Sequence, residues 1–226
     1  MSKHPHPIAI FIGLTVILTS FSWGSAHATS VFFNEIHYDN DGGDTGEAIE
    51  IAGPTGTDLA GWSILLYNGA NKEVYKTKSL SGIVQEQQNG FGTLYFSITG
   101  IQNGSPDGMA LIDATNTVIQ FLSYEGSFLA VGGPANGLTS TDIGVSEPSS
   151  TSSGHSLQLS GTGQNFSDFS WMAAQTNTFG AINTEQVFPA SAQQPIPEPS
   201  TILLLGTGLA VLGIWQRKKG HKLRNS

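Results

Sequence analysis

The chain has 226 residues, with 9 Lys and Arg against 17 Asp and Glu for a formal net charge of −8, 28 Gly and no Cys. Without cysteine there is no thiolate nucleophile, no disulfide framework and no Cys-ligated zinc or iron–sulfur site, and 38% apolar content supplies a core that a long disordered chain would lack. Charged residues make up 12%, about half the usual share, which together with the glycines fits short strands joined by turns.

At the N-terminus, Lys3 precedes an apolar run from Ile8 to Phe21, and Ala26-His27-Ala28 follows. A positive charge, a short apolar run and small residues at −3 and −1 are the three parts of a secretory signal peptide, with Ala26 and Ala28 framing cleavage before Thr29. A Cys-free domain exported in this way folds on its hydrophobic core alone.

From 29 to 188 no long helical period occurs, and alternation with period two recurs instead. In Ser30 to Tyr38 it puts Val31, Phe33, Glu35 and His37 on one face and Phe32, Asn34, Ile36 and Tyr38 on the other. Further strands are predicted over Glu47 to Ala52, Gly61 to Tyr67, Glu73 to Thr77, Gly92 to Ile98, Gly108 to Asp113, Thr117 to Ser123, Ser156 to Ser160 and Phe169 to Ala173. Asn-Gly pairs at Asn68, Asn89, Asn103 and Asn136 suit turns that need positive φ. Such strands with Gly-rich turns predict an all-β antiparallel sandwich, with a barrel as the alternative closure. The stretch from Glu125 to Gly154, rich in Gly, Ser, Thr and Pro, reads as a crossover or a surface loop.

The densest polar cluster lies at the first turn: Asn34, Glu35, His37, Asp39, Asn40, Asp41, Asp44, Glu47 and Glu50. Asp39, Asp41, Asp44, Glu47 and Glu50 supply the oxygen ligands that a Ca²⁺ site needs. Asp39, Asp41 and Glu50 fall at positions 1, 3 and 12 of an EF-hand count, but position 6 is Asp44 rather than Gly and the flanks read as strands, so an EF-hand is rejected. The other reading is a solvated hairpin turn whose Asp and Asn side chains hydrogen-bond their own backbone. Asn34, Glu35 and Glu50, inside strands, read as groups that fix loop geometry by hydrogen bonds to backbone. No G-x-S-x-G, P-loop or dinucleotide fingerprint occurs, and His37 and His155 are the domain's two histidines. No catalytic residue is assigned. The aromatics sit at alternating positions, which reads as core filling rather than sugar stacking.

After a linker over 189–199, Thr201 to Trp215 is uncharged. Read as a helix from Ser200 to Gln216, the segment is ~25 Å long, just short of a ~30 Å hydrocarbon core. The cluster Arg217, Lys218, Lys219, Lys222 and Arg224 follows, as expected for a cytoplasmic stop. Three basic residues against sixteen acidic ones leave the 29–188 domain at −13, which repels nucleic-acid phosphate.

Pro197-Glu198-Pro199, the apolar helix and the terminal basic cluster, in that order behind a signal peptide, resemble the PEP-CTERM sorting domain of Gram-negative exported proteins. The resemblance implies an exosortase as processing partner, transient anchoring in the inner membrane, and delivery to the cell surface or matrix, often beside exopolysaccharide and biofilm. Within the domain, Phe33-Asn34-Glu35-Ile36, Gly46 to Ile51, Asp58 to Ile64, Pro106 to Asp113, Val118 to Tyr124, Gly154-His155-Ser156-Leu157 and Trp171 resemble the lamin tail domain. That implies an immunoglobulin-like sandwich, and two sorting signals around one such domain without a recognisable site give the expectation of a non-enzymatic interaction module. Thr178-Phe179-Gly180 departs from the Thr-Pro-Gly common in bacterial members. The alternative expectation is a secreted Ca²⁺- or Mg²⁺-dependent binding protein or hydrolase that uses Asp39 to Glu50.

Overall fold

The alternating segments fold as strands because each has one face to bury against a second sheet. A computed structural model describes residues 30–190, in which eleven strands run β1 (Phe32–His37), β2 (Ala48–Pro54), β3 (Ser63–Asn68), β4 (Glu73–Ser79), β5 (Phe91–Ser97), β6 (Asp107–Ile112), β7 (Val118–Tyr124), β8 (Thr141–Asp142), β9 (His155–Thr162), β10 (Phe169–Thr176) and β11 (Gln186–Val187). One sheet has the order β10-β9-β1-β2-β5 with β11 paired to β9, and the other β4-β3-β6-β7-β8. All pairings are antiparallel except those of the two-residue strands β8 and β11. The fold is an all-β sandwich. The expected signal peptide, linker, apolar helix and basic tail lie outside the described residues, as do Ala26, Ala28, Pro197, Glu198, Pro199, Arg217, Lys218 and Lys219.

The main core fills the space between the sheets: Phe33, Ile36, Ile49, Ile51 and Leu157 from one meet Ile64, Leu66, Met109, Leu111 and Leu122 from the other. Both outer faces are also covered. Leu65, Tyr67, Ala110 and Phe121 lie beneath Phe128, Ala130 and Ala135 of the β7–β8 connection. On the other side Phe32, Ala52, Leu159 and Phe169 lie beneath Phe188 of the C-terminal strap, residues 177–190. The 125–154 stretch is therefore a packed crossover, with a bridge between Leu129 and Thr139, rather than a bare loop.

Two sequence expectations change. Strict alternation in β1 fails because the register shifts between Phe33 and Glu35, so Phe33 and Ile36 both face the main core. A bulge of this kind adds one residue to one strand and so exchanges the two faces beyond it. The four Asn-Gly pairs also divide. Asn89-Gly90 and Gly137 have positive φ, whereas Gly69 and Gly104 do not. Gly69 is required for close approach, since a Cβ there would collide with the Pro106 carbonyl.

Candidate functional site

The strap is held by carboxyls that β1 and β2 present to the outer face of their sheet. Glu35 and Glu50 are cross-strand partners, both fully buried. Glu35 Oε1 accepts from Ser156 Oγ at 2.5 Å and from the Thr178 N–H at 2.8 Å, while Thr178 Oγ1 donates to Oε2 at 2.9 Å. Glu50 Oε1 accepts from Asn34 Nδ2 at 2.9 Å, and Oε2 from the Gly180 N–H at 2.6 Å. Asn183 and Gln186 complete the network by donating to the Asn34 carbonyl and the Asn34 side chain, at 2.9 and 2.7 Å. Burial outweighs these hydrogen bonds at both carboxyls: Glu35 is raised, with the Glu147 charge adding to the effect, and Glu50 is pushed up to about 8, with the Glu35 charge adding to it.

A second buried constellation closes the pole at which β1 ends and β2 begins. The ring of His37 places Nδ1 3.0 Å from Glu147 Oε1, and Nε2 3.2 Å from Asn40 Oδ1 and 3.1 Å from the Thr45 carbonyl. Each of these partners is an acceptor: Asn40 Nδ2 is turned to the Asp41 and Gly43 carbonyls, which fixes its Oδ1 toward the ring. The pocket therefore suits an imidazolium with a proton on each nitrogen. Burial disfavours that charge, but the hydrogen bond and negative charge of Glu147 outweigh it and raise the His37 pKa. Glu147 Oε2 also accepts from the Tyr38 and Asp39 N–H groups at 2.7 and 3.0 Å, and its own N–H donates to Tyr38 Oη at 2.8 Å. Tyr38 in turn stacks on Tyr124, with ring centroids 4.0 Å apart.

The five carboxylates expected to gather around a cation are distributed differently. Glu47 accepts from the Gly100 and Ile101 N–H groups at 2.6 and 2.7 Å and so positions the β5–β6 loop. Glu50 lies beneath the strap, on the sheet's outer face. Asp41 and Asp44 are exposed, and Asp39 is buried, its pKa raised by that burial and by the Asp44 carboxyl. Among the described residues no group of three or more His, Asp or Glu side chains is arranged to hold a metal ion. At the turn the Asn40 side chain bonds its own loop backbone, Oδ1 accepting from the Thr45 N–H at 2.9 Å.

At the same pole a cavity of about 220 Å³ is lined by Asn68, Gln102, Asn103, Ser105, Pro106 and Asp107. Asp107 shapes it, accepting from the Gly69 and Gly104 N–H groups at 2.8 Å each. Asn68 Nδ2 donates to Gln102 Oε1 at 2.6 Å. Its walls combine amides, a hydroxyl and the Asp107 carboxyl with the apolar surface of Ala70 and Pro106, so it offers both hydrogen bonds and apolar contact. Sequence reading missed Glu147, which sits alone in a Ser- and Pro-rich stretch with no local pattern to mark it.

Residues 195–218 match the family model of the PEP-CTERM protein-sorting motif. No curated protein and no solved structure matches the chain. A motif of this type is the signal by which an exosortase sorts exported proteins to the surface of Gram-negative bacteria. The chain therefore carries a sorting signal that begins five residues beyond the last strap residue described.

Proposed function

We propose that the protein is a non-enzymatic surface or matrix module: one sandwich of the lamin tail type, exported by an N-terminal signal peptide, anchored by the C-terminal helix and released through exosortase. The observation that carries this is the sorting motif at 195–218 following a single packed domain. The buried carboxylates support a non-catalytic role, because Glu35, Glu47, Glu50 and Glu147 each accept backbone N–H groups that hold a loop or the strap. As partners we propose exopolysaccharide or other envelope proteins. The net −13 of the domain favours neutral over anionic polymers, and the amide-lined cavity beside Asn68 and Gln102 suits a hydroxyl-rich ligand.

The test is localisation of the wild type and of a variant with Pro197, Glu198 and Pro199 replaced by Ala. Surface delivery of the wild type and retention of the variant in the membrane fraction support the reading. Equal delivery of both removes it.

A further inference from the structure

The C-terminal strap belongs to the fold up to its last described residues. Phe188 is fully buried, its ring stacked on Phe91 with centroids 4.6 Å apart. Its N–H donates to the Gln88 side chain, and its carbonyl accepts from Asn89 Nδ2 at 2.7 Å. Gln164 Nε2 donates to the Pro189 carbonyl at 2.9 Å. These ties come from two different connections, β4–β5 and β9–β10, so the strap is gripped from both sides as it leaves the domain. Two exposed carboxylates in these same connections are bound to their own loop backbone. Glu86 accepts from the Gly90 N–H, and Asp168 from those of Gln164 and Asn165.

Eight residue steps separate Pro189 from Pro197, at most roughly 26–29 Å of fully extended chain. A domain of about 160 residues has a radius of gyration of about 15 Å and is roughly 40 Å across. The tether is thus shorter than the body it holds. An enzyme embedded in the membrane that takes hold of the sorting motif must meet the domain at the pole from which the tether emerges.

We infer that the sandwich meets its processing enzyme in one orientation, with the pole carrying Asn89, Gln164 and Phe188 against it, and that residues 190–194 supply clearance alone. This rests on the exosortase reading above. The His37–Glu147 pole and the amide-lined cavity then point away from the membrane, where they are free to meet a partner while the chain is still anchored.

The experiment follows processing of the full chain in cells that carry the sorting enzyme. Deleting residues 190–194 leaves three steps, about 10–11 Å, between Pro189 and Pro197, and processing slows by about tenfold or more because the tether no longer spans the gap. Among the described residues the last hydrogen bond to the domain is at Pro189, so the deletion leaves the strap's ties in place. Five Gly and Ser residues in place of 190–194 keep the wild-type rate, and ten in their place keep it too. Wild-type processing of the deletion variant overturns the inference, and so does failure of either replacement, which shows that these residues are read by sequence. The triple Ala variant of Pro197, Glu198 and Pro199 separates the two claims: it stays unprocessed if the sorting reading holds, whichever way the length series falls.

Discussion

Glu50 Oε2 accepts a hydrogen bond from the Gly180 N–H at 2.6 Å, although 130 residues separate them in the chain. Its neighbour Glu35 holds Thr178 in the same way across 143 residues. Two buried carboxyls on adjacent strands are therefore the sockets for a strap that covers one face of the sandwich and ends next to the sorting signal. Changing Glu50 to Ala leaves the buried Asn34 amide without its acceptor, at about 1–3 kcal/mol, and releases the exposed Gly180 N–H to solvent. Denaturant unfolding of the 29–190 domain measures the loss.

The same carboxyl sets a pH dependence. With its pKa pushed up to about 8 in the folded domain against 4.5 in the unfolded chain, Glu50 holds its proton in the native state and loses it on unfolding across that window. The native state binds more protons there, so stability is full below about pH 4.5 and falls as pH rises toward 8. Melting temperatures measured across this range decline for the wild type and decline less for Glu50→Gln.

His37 acts in the same direction through another contact. Its folded pKa is raised, so the pairing with Glu147 contributes fully below the ordinary value of 6.5 and is lost as pH rises through the folded value. Loss of the imidazolium loosens the segment that Glu147 anchors. Amide hydrogen exchange at Tyr38, Asp39 and Glu147 speeds up with pH beyond the intrinsic rate in the wild type. In His37→Gln the excess is absent and these amides are weakly protected throughout.

Space and backbone conformation are separable at two glycines. Gly69→Ala drives a methyl group into the Pro106 carbonyl and costs about 2–3 kcal/mol. Gly42→Ala has φ +86° with no atom within 4 Å of the new Cβ and costs about 1 kcal/mol, the left-handed penalty alone. Thermal unfolding of the two variants gives this order.

Calcium provides a check on the distribution of acids at the first turn. Glu47 is engaged by Gly100 and Ile101 and Glu50 by Gly180, which leaves Asp39, Asp41 and Asp44 as the carboxylates at the turn. Millimolar Ca²⁺ is expected to leave the melting temperature of the 29–190 domain unchanged. A rise of several degrees contradicts this arrangement.

Much of the fold is legible in the sequence because alternation is a local signal. Nine strands overlap the nine segments that read as strands in the sequence. The two-residue strands β8 and β11 carry no such signal, since their pairing with β7 and β9 is created by the chain's return from a distance. The bulge at Asn34 is equally hidden. No residue type announces it, yet it decides which of Phe33, Glu35 and Ile36 face the main core. For the site, nearness in sequence misleads. Asp44, Glu47 and Glu50 lie within seven positions, but one is exposed at the turn, one holds the β5–β6 loop and one lies beneath the strap. Glu147 joins His37 from 110 residues away, which only the folded chain reveals.

The claim that this domain is delivered through its C-terminal motif is tested most directly by the intact mass of the protein released at the cell surface. The released chain is expected to begin near Thr29 and to end close to Pro197-Glu198-Pro199, without the apolar segment and the Arg217, Lys218 and Lys219 cluster. A released protein whose mass extends through Ser226 contradicts it.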